Sequence, residues 1–229
     1  MATQRVASNS RGLALAGILA GLALIGEFVF FGMSGFPATG FSDPAVALPY
    51  LDQGGMLLRI AVLFGASGVA LWTAFAIGLA SRLRERTPAR ALASLYLTIL
   101  GNVGDGLVAL TFFVGSTMFS QLAASNHGAA AASWPAFAAV TSGFQYFGNT
   151  FLGLSLLTAG SAIWSGHALN RWLGAFGILC GIVTLIGVFA IPGAYLGALL
   201  LVVIFRLWAG IALLRRSSEG TAMPMRSAA

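Results

Sequence analysis

Six long apolar runs are the feature of this sequence that most restricts its fold. An α-helix needs roughly 20 apolar residues to cross the ~30 Å hydrocarbon core of a bilayer, and within lipid it satisfies its own backbone hydrogen bonds. The sequence therefore predicts an all-α polytopic membrane protein. We expect a bundle of six transmembrane helices, which lie at about residues 12–33, 57–80, 91–119, 135–164, 172–191 and 193–214.

The composition supports the same class. Hydrophobic residues make up 58% of the chain and charged residues 8%, whereas soluble domains have roughly a quarter charged residues. Six acidic residues and twelve arginines cannot cover the surface of a soluble 229-residue protein, so the lipid bilayer is the expected partner of most of that surface. Residues 1–214 are expected to form one transmembrane domain, followed by a short basic tail at 215–229. The absence of lysine excludes a retinal or pyridoxal Schiff base.

The arginines predict the orientation. Ten of them lie in four segments between or beside the apolar runs, at Arg5, Arg11, Arg82, Arg84, Arg86, Arg90, Arg171, Arg215, Arg216 and Arg226. The connections 34–56, 120–134 and 191–193 contain none, so the positive-inside rule places both termini in the cytoplasm and the chain in the cell's inner membrane. An even number of crossings favours a break at Ile191-Pro192-Gly193 over a five-span chain with one very long last helix. Arginines distributed in this way do not indicate nucleic-acid binding.

Three other segments have local interpretations. The first run is expected to be a retained helix, because its length of about 22 residues exceeds the 7–15 of a secretory h-region. The 34–56 connection, with its prolines and aromatic residues, is either an ordered cap on the outer surface or a plain connector. The alanine-rich stretch 123–133 is expected to be a solvated loop, which would place His127 outside the helices.

Glycine patterns indicate close helix packing. Gly-x-x-x-Gly pairs occur at 17/21, 177/181 and 193/197, but 30 glycines in this length give about four such pairs by chance, so no dimer is inferred. The Gly-Asn-Val-Gly-Asp-Gly segment at 101–106 is either a tightly packed helix or a locally broken one, and packing is favoured. No metal-ligand spacing is present, and His127 and His167 are both expected in loops, so no cofactor or metal is predicted.

The informative residues are polar groups inside the predicted spans. A count of 1.5 Å per residue from the cytoplasmic helix ends gives heights of about 12 Å for Arg206, 16 Å for Asn102, 21 Å for Asp105, 22 Å for Glu27, 24 Å for Asn149, 30 Å for Gln145 and 31 Å for Arg59. Glu27, Asp105 and Asn149 thus share a level, on three different helices. Asn102 and Asp105 share a helix face, as do Gln145 and Asn149.

These seven residues form the candidate binding site, and two interpretations remain open. They could act as static glue between helices, or they could line a polar cavity, with Glu27 and Asp105 as key carboxylates and Arg59 and Arg206 as counter-charges. The cavity interpretation predicts a small-solute transporter or a solute- or lipid-binding protein. The alternative is a structural or accessory subunit that stabilises a protein partner, whose identity the sequence does not indicate. An enzyme ranks third, because no nucleophile–base pair or metal set is visible.

The layout also resembles a bacterial family of six-helix membrane proteins known as domain of unknown function 4386. Leu169-Asn170-Arg171-Trp172-Leu173-Gly174 resembles the family's short basic inner turn before a glycine-rich fifth helix, and Pro192-Gly193 resembles its proline turn before the last helix. The resemblance covers most of 12–214. It implies a six-helix membrane fold and brings no assigned activity.

Overall fold

The computed structural model describes residues 2–35, 41, 43–53, 55–189 and 194–219. These residues contain no strand and form seven helices: α1 (Ala2–Met33), α2 (Pro44–Gln53), α3 (Gly55–Leu83), α4 (Pro88–Ser125), α5 (His127–Gly166), α6 (Arg171–Phe189) and α7 (Ala194–Glu219). The predicted all-α class is confirmed. The residues of the Pro192-Gly193 turn and of the tail from 220 onward lie outside the described part of the chain.

Five of the helices are long and apolar enough to cross a membrane by length and composition, which indicates a membrane protein. The segments are Arg11–Met33, Gly55–Leu83, Pro88–Ser125, Arg171–Phe189 and Gly197–Arg216. Large apolar side chains are exposed along them, such as Leu110 at 60% and Leu200 at 62%, as expected of a surface solvated by lipid. The 40-residue helix α5 carries no Arg, Asp or Glu, but its many Ala, Gly, Ser and Thr residues make it less apolar, and it is not one of the five. The number of crossings therefore stays a prediction.

The six long helices form a closed ring. Each packs against the next in chain order (α1, α3, α4, α5, α6, α7), and α7 packs back against α1. Neighbours are antiparallel, since Leu13 of α1 lies against Gly78 of α3 while Gly17, further along α1, lies against Phe75. The main hydrophobic core draws residues from all six helices, with the Trp72 and Phe205 rings at its centre.

Glycines bring the helix backbones into direct contact at the α4–α5 interface. A Cβ added to Gly104 would lie 2.5 Å from the Cα of Gly148, closer than Cβ atoms approach other atoms in proteins. Helix α4 runs unbroken through 101–106, so the prediction of tight packing is confirmed and that of a broken helix is wrong.

The Gly-x-x-x-Gly pairs that the structure describes are also packing sites inside the chain. Gly177 and Gly181 of α6 lie against Gly160 and Leu157 of α5. Gly17 and Gly21 of α1 accommodate Phe75 and Leu207, from α3 and α7 respectively.

The expectation of a solvated loop at 123–133 is wrong. Helix α4 continues to Ser125 and α5 starts at His127, so the connection is a single residue and His127 lies in a helix. Asn126 caps α5, since its Oδ1 accepts a hydrogen bond of 3.0 Å from the backbone N–H of Ala129. The physical reason for the error is that alanine, which fills this stretch, has the highest helix propensity.

The 34–56 connection contains an ordered cap, so the plain-connector alternative is wrong for its described part. Helix α2 packs against α4 and α5, with Leu48 and Leu51 buried in a second hydrophobic cluster around Trp134. The Trp134 indole N–H donates a 2.8 Å hydrogen bond to the backbone carbonyl of Phe41.

The division of the last apolar stretch into two helices is confirmed, because α6 and α7 pack antiparallel, with Gly177 against Phe205 and the Cys180 thiol near the Leu201 carbonyl. The alternative of one very long last helix is therefore wrong. The expected turn at 191–193 itself lies outside the described residues. At the opposite end of the bundle, α5 stops at Gly166, and His167 adopts the left-handed conformation (φ 51°) that often ends helices.

Candidate functional site

Arg206 of α7 is buried inside the ring, with 5% of its surface exposed. Its guanidinium carbon lies 4.7 Å from the centre of the Trp72 ring on α3, a cation–π distance. Its Cβ lies 3.6 Å from where a Cβ at Gly21 of α1 would be. The side chain is therefore held where α1, α3 and α7 meet, and the charge faces the interior of the ring instead of lipid.

Asp105 of α4 points its carboxyl group at α5. A Cβ added to Gly148 would lie 2.5 Å from Oδ1 of Asp105, so the missing side chain at Gly148 is what makes room for this carboxyl. Asp105 also lies within electrostatic range of Arg206, across the ring on α7.

Glu27 of α1 lies against α3 in the same way. Its Oε1 is 2.8 Å from the position that a Cβ at Gly65 would take. The Glu27 carboxyl interacts electrostatically with both Asp105 and Arg206. Three helices thus bring Glu27, Asp105 and Arg206 together, and we call these residues the central charge cluster.

Asn102 of α4 joins α4 to α3, the helix that carries Trp72. The Asn102 amide nitrogen donates to the Thr73 hydroxyl at 2.6 Å and to the Val69 carbonyl at 3.3 Å. Asn102 Oδ1 and Trp72 Nε1 are buried and have no hydrogen-bond partner among the described residues. Buried polar atoms are normally satisfied, so one acceptor and one donor remain open to a group from outside the chain.

The other predicted site residues are placed differently. Arg59 is exposed near one end of α3 and donates a 3.1 Å hydrogen bond to Thr117 of α4. Glu27 lies further along α3, against Gly65. Gln145 is exposed on α5, and Asn149 is buried at 4% exposure beside Gly148. Although Gln145 and Asn149 are spaced i,i+4, only Asn149 is turned inward.

Neutral residues missed by the sequence analysis complete the polar interior. Trp72 supports the guanidinium, and it could have been noticed as a tryptophan in the middle of a span instead of at an interface. Ser94 and Thr98 of α4 and Ser155 of α5 form a buried hydrogen-bonded group, with 2.5 Å between the Thr98 and Ser155 hydroxyl oxygens. Single serines and threonines in apolar runs give no comparable signal.

Two cavities lie away from the central charge cluster. One, of about 420 Å³, is an apolar groove between α1 and α3 lined by residues such as Leu22 and Phe64. The other, of about 300 Å³, lies where α6 begins and α7 ends and includes Arg215 and Arg216. Within the described part of the chain, no three histidine, cysteine or acidic residues are grouped as metal ligands.

Comparison with known proteins identifies a family. No curated protein and no solved structure matches the chain at a significant level. A family model described as domain of unknown function (DUF4386) matches residues 19–217. This range includes α3 to α6 whole, most of α7, the C-terminal part of α1 and every residue of the central charge cluster. The resemblance drawn from the turns at 169–174 and 192–193 is confirmed: the chain belongs to the DUF4386 family.

Proposed function

We propose that this protein crosses the inner membrane six times, with both termini in the cytoplasm, and binds a small solute at the central charge cluster as a transporter or solute-binding protein. The closed ring supports six crossings. Helix α5 packs between α4 and α6 through glycine contacts along its length, so it runs through the same layer as two apolar spans.

The observation that carries the proposed function is a charge imbalance. Within the described part of the chain, two carboxyl groups, Glu27 and Asp105, interact with a single guanidinium, that of Arg206. An uncompensated charge at the centre of a bilayer costs at least ~2.5–3.5 kcal/mol, so a purely structural pair would need one carboxylate for one arginine. The second carboxyl group must therefore be neutralised by a bound proton or by a cationic group from outside the chain.

The surroundings of the cluster favour a small cationic solute. Arg206, fixed over the Trp72 ring, balances the charge of one carboxyl group within its electrostatic range, and the other would accept hydrogen bonds from an ammonium group. Asn102 Oδ1 supplies a further acceptor and Trp72 Nε1 a donor. Gly65 and Gly148 lie directly against the two carboxyl groups, which occupy the space that side chains at these positions would take.

Thermal unfolding of the purified protein in detergent tests this function. Ethylammonium, glucose and acetate represent cationic, neutral and anionic solutes. A ligand at 100 times its Kd adds about 2.7 kcal/mol, equivalent to a rise in Tm of roughly 5–11 °C for a chain of this size. We expect stabilisation by ethylammonium alone, lost in Glu27→Gln and Asp105→Asn and kept in Glu85→Gln, which changes an exposed carboxylate. Stabilisation by no solute, or an ethylammonium response that survives both cluster variants, would overturn the proposal.

A structural or accessory subunit is the second candidate. Two observations favour it: neither described cavity is lined by a residue of the central charge cluster, and glycine contacts hold the α4–α5 and α5–α6 backbones together. This function predicts a flat response to every solute and a protein partner that co-purifies in stoichiometric amount after mild solubilisation. Its partner should be depleted from membranes that lack this chain.

A further inference from the structure

A cavity of about 300 Å³ lies between the residues that directly precede α6 and the last turns of α7, and we call it the arginine pocket. Its lining includes Leu169, Asn170, Trp208, Ile211, Arg215 and Arg216. It opens at the end of the bundle where the other arginine-rich turns also lie, at 82–90 and at 171. In the proposed topology this end faces the cytoplasmic leaflet.

One end of the arginine pocket is cationic. Arg215 and Arg216 are consecutive on α7, and both side chains are exposed. A guanidinium group presents a planar set of N–H donors that matches phosphate oxygens in a bidentate arrangement. The first turn of α6, capped by Asn170 through a 2.9 Å hydrogen bond from the Trp172 N–H to Oδ1, adds the positive end of a helix dipole nearby.

The other end is apolar and is built on the same helix. Trp208 and Ile211 are 37% and 40% exposed, and Trp208, Ile211 and Arg215 follow one another at i, i+3 and i+7 along one face of α7. This places the tryptophan about 10 Å deeper along the helix axis than the arginine. The Trp208 ring is fixed by Phe176 of α6, whose ring centre is 5.8 Å away.

We propose that the arginine pocket binds one anionic phospholipid, with its phosphate at Arg215 and Arg216 and the start of an acyl chain along Trp208 and Ile211. Free phosphate would use only the cationic end, whereas an amphiphile fills both. Basic pockets between transmembrane helices at the cytoplasmic face are suited to anionic headgroups. This inference does not depend on the solute proposed for the central charge cluster.

The probes for the test are dioctanoyl phosphatidylglycerol, dioctanoyl phosphatidylcholine and inorganic phosphate, each added to the full chain in detergent. Native mass spectrometry counts bound lipid, and thermal unfolding gives apparent affinity. We expect one saturable phosphatidylglycerol per chain, with at least tenfold weaker binding of phosphatidylcholine and no competition from inorganic phosphate at equal concentration. Equal competition by inorganic phosphate would identify a phosphate site and overturn the lipid proposal.

Variants separate the pocket from general surface charge. The double substitution Arg215→Gln/Arg216→Gln should weaken phosphatidylglycerol binding about tenfold or more, and Trp208→Ala should weaken it through the apolar wall. The matched control Arg82→Gln/Arg84→Gln removes the same charge at the same end of the bundle, outside the pocket, and should bind as the wild type does. An equal loss in the control, or unchanged binding in the Arg215/Arg216 variant, would overturn the proposal. Folding of each variant is checked by circular dichroism and gel filtration.

Discussion

At the scale of single residues, Arg206 and the two carboxyl groups near it do not form a simple one-to-one ion pair. Arg206→Gln leaves Glu27 and Asp105 facing each other without a cation and also removes the contact with the Trp72 ring. Asp105→Asn, by contrast, leaves one carboxylate for one guanidinium. The substitutions should therefore have unequal effects, although each removes one charge.

The first prediction follows from this imbalance. Arg206→Gln should destabilise the protein by about 3–5 kcal/mol, the cost of leaving a buried charge without its partner, and Asp105→Asn should cost less. In the double variant, Asp105→Asn should recover part of the Arg206→Gln loss, because it relieves repulsion between the carboxylates. Denaturant titration in mixed micelles measures the three free energies of unfolding. Strictly additive losses would show that Asp105 and Arg206 do not interact.

Helix geometry decides how much of the site could be predicted from the sequence. A constant rise per residue gives depth, so Glu27 and Asp105 could be placed at one level, and the long Arg206 side chain could be expected to reach Asp105. Depth does not give rotation about the helix axis. The partner of Arg59 could therefore not be identified as Thr117. Nor does the sequence show at which heights a neighbouring helix covers a face, so Gln145 could not be recognised as exposed although it shares a helix face with the buried Asn149.

At the scale of elements, glycine substitutions in α4 give the second prediction. Gly104→Ala places a Cβ 2.5 Å from the Cα and 2.6 Å from the N of Gly148, and these backbone atoms can move only if α4 and α5 separate. We expect a loss of about 1–3 kcal/mol in unfolding free energy, as in overpacked cores. Gly106→Ala is the matched control on the same helix, since nothing lies within 4 Å of its Cβ position.

The control substitution is expected to change the stability in the opposite direction. Because alanine restricts the unfolded chain more than glycine does, Gly106→Ala should stabilise α4 by about 0.5–1 kcal/mol. Both variants are measured by the same micelle titration. Equal effects of the two substitutions would mean that the α4–α5 contact is looser than the structure describes.

The cap helix α2 gives the third prediction. Trp134→Phe retains a buried aromatic ring but removes the N–H that donates to the Phe41 carbonyl, a hydrogen bond worth about 1 kcal/mol. Hydrogen exchange should therefore increase in α2 and much less in α6. Trp164→Phe, an exposed tryptophan near the other end of α5, serves as the control. Faster exchange spread evenly over the whole chain would argue against a local anchor for the cap.

The helices themselves were largely predictable, but the connection between α4 and α5 was not. Apolar run length predicted α1, α3, α6 and α7 within a few residues at most described ends, because the bilayer sets a minimum length for a span. The bilayer sets no maximum, so α4 and α5 could extend to 38 and 40 residues. Alanine-rich continuations such as 123–133 contain enough polar residues to resemble a loop, yet their alanines favour a helix.

At the scale of the whole molecule, α4 and α5 are longer than a bilayer is thick, so in the proposed topology they extend past the membrane. At 1.5 Å per residue they span about 57 and 60 Å, whereas a bilayer with its headgroups is about 40–45 Å thick. In that topology the additional length of α4 and α5 lies at the end of the bundle where α2 packs. The second hydrophobic cluster around Trp134 covers this extension. In the proposed topology, the short helix α2 therefore buries apolar surface that lipid would not reach.

Topology is the fourth prediction, and it decides whether α5 is a span. If the ring crosses the bilayer as six helices, the one-residue connection at Asn126 lies outside, together with the Asp43 turn that begins α2. Alkaline phosphatase fused at Asp43 or Asn126 should then be active, since this enzyme folds only outside the cytoplasm. Green fluorescent protein fused after Arg86, His167 or Arg216 should fluoresce in the cytoplasm. The result at His167 is the critical one, because it lies directly after α5. If α5 did not cross the bilayer, the fusions at Asn126 and His167 would report the same side. That result would contradict the glycine contacts that pack α5 between the spans α4 and α6.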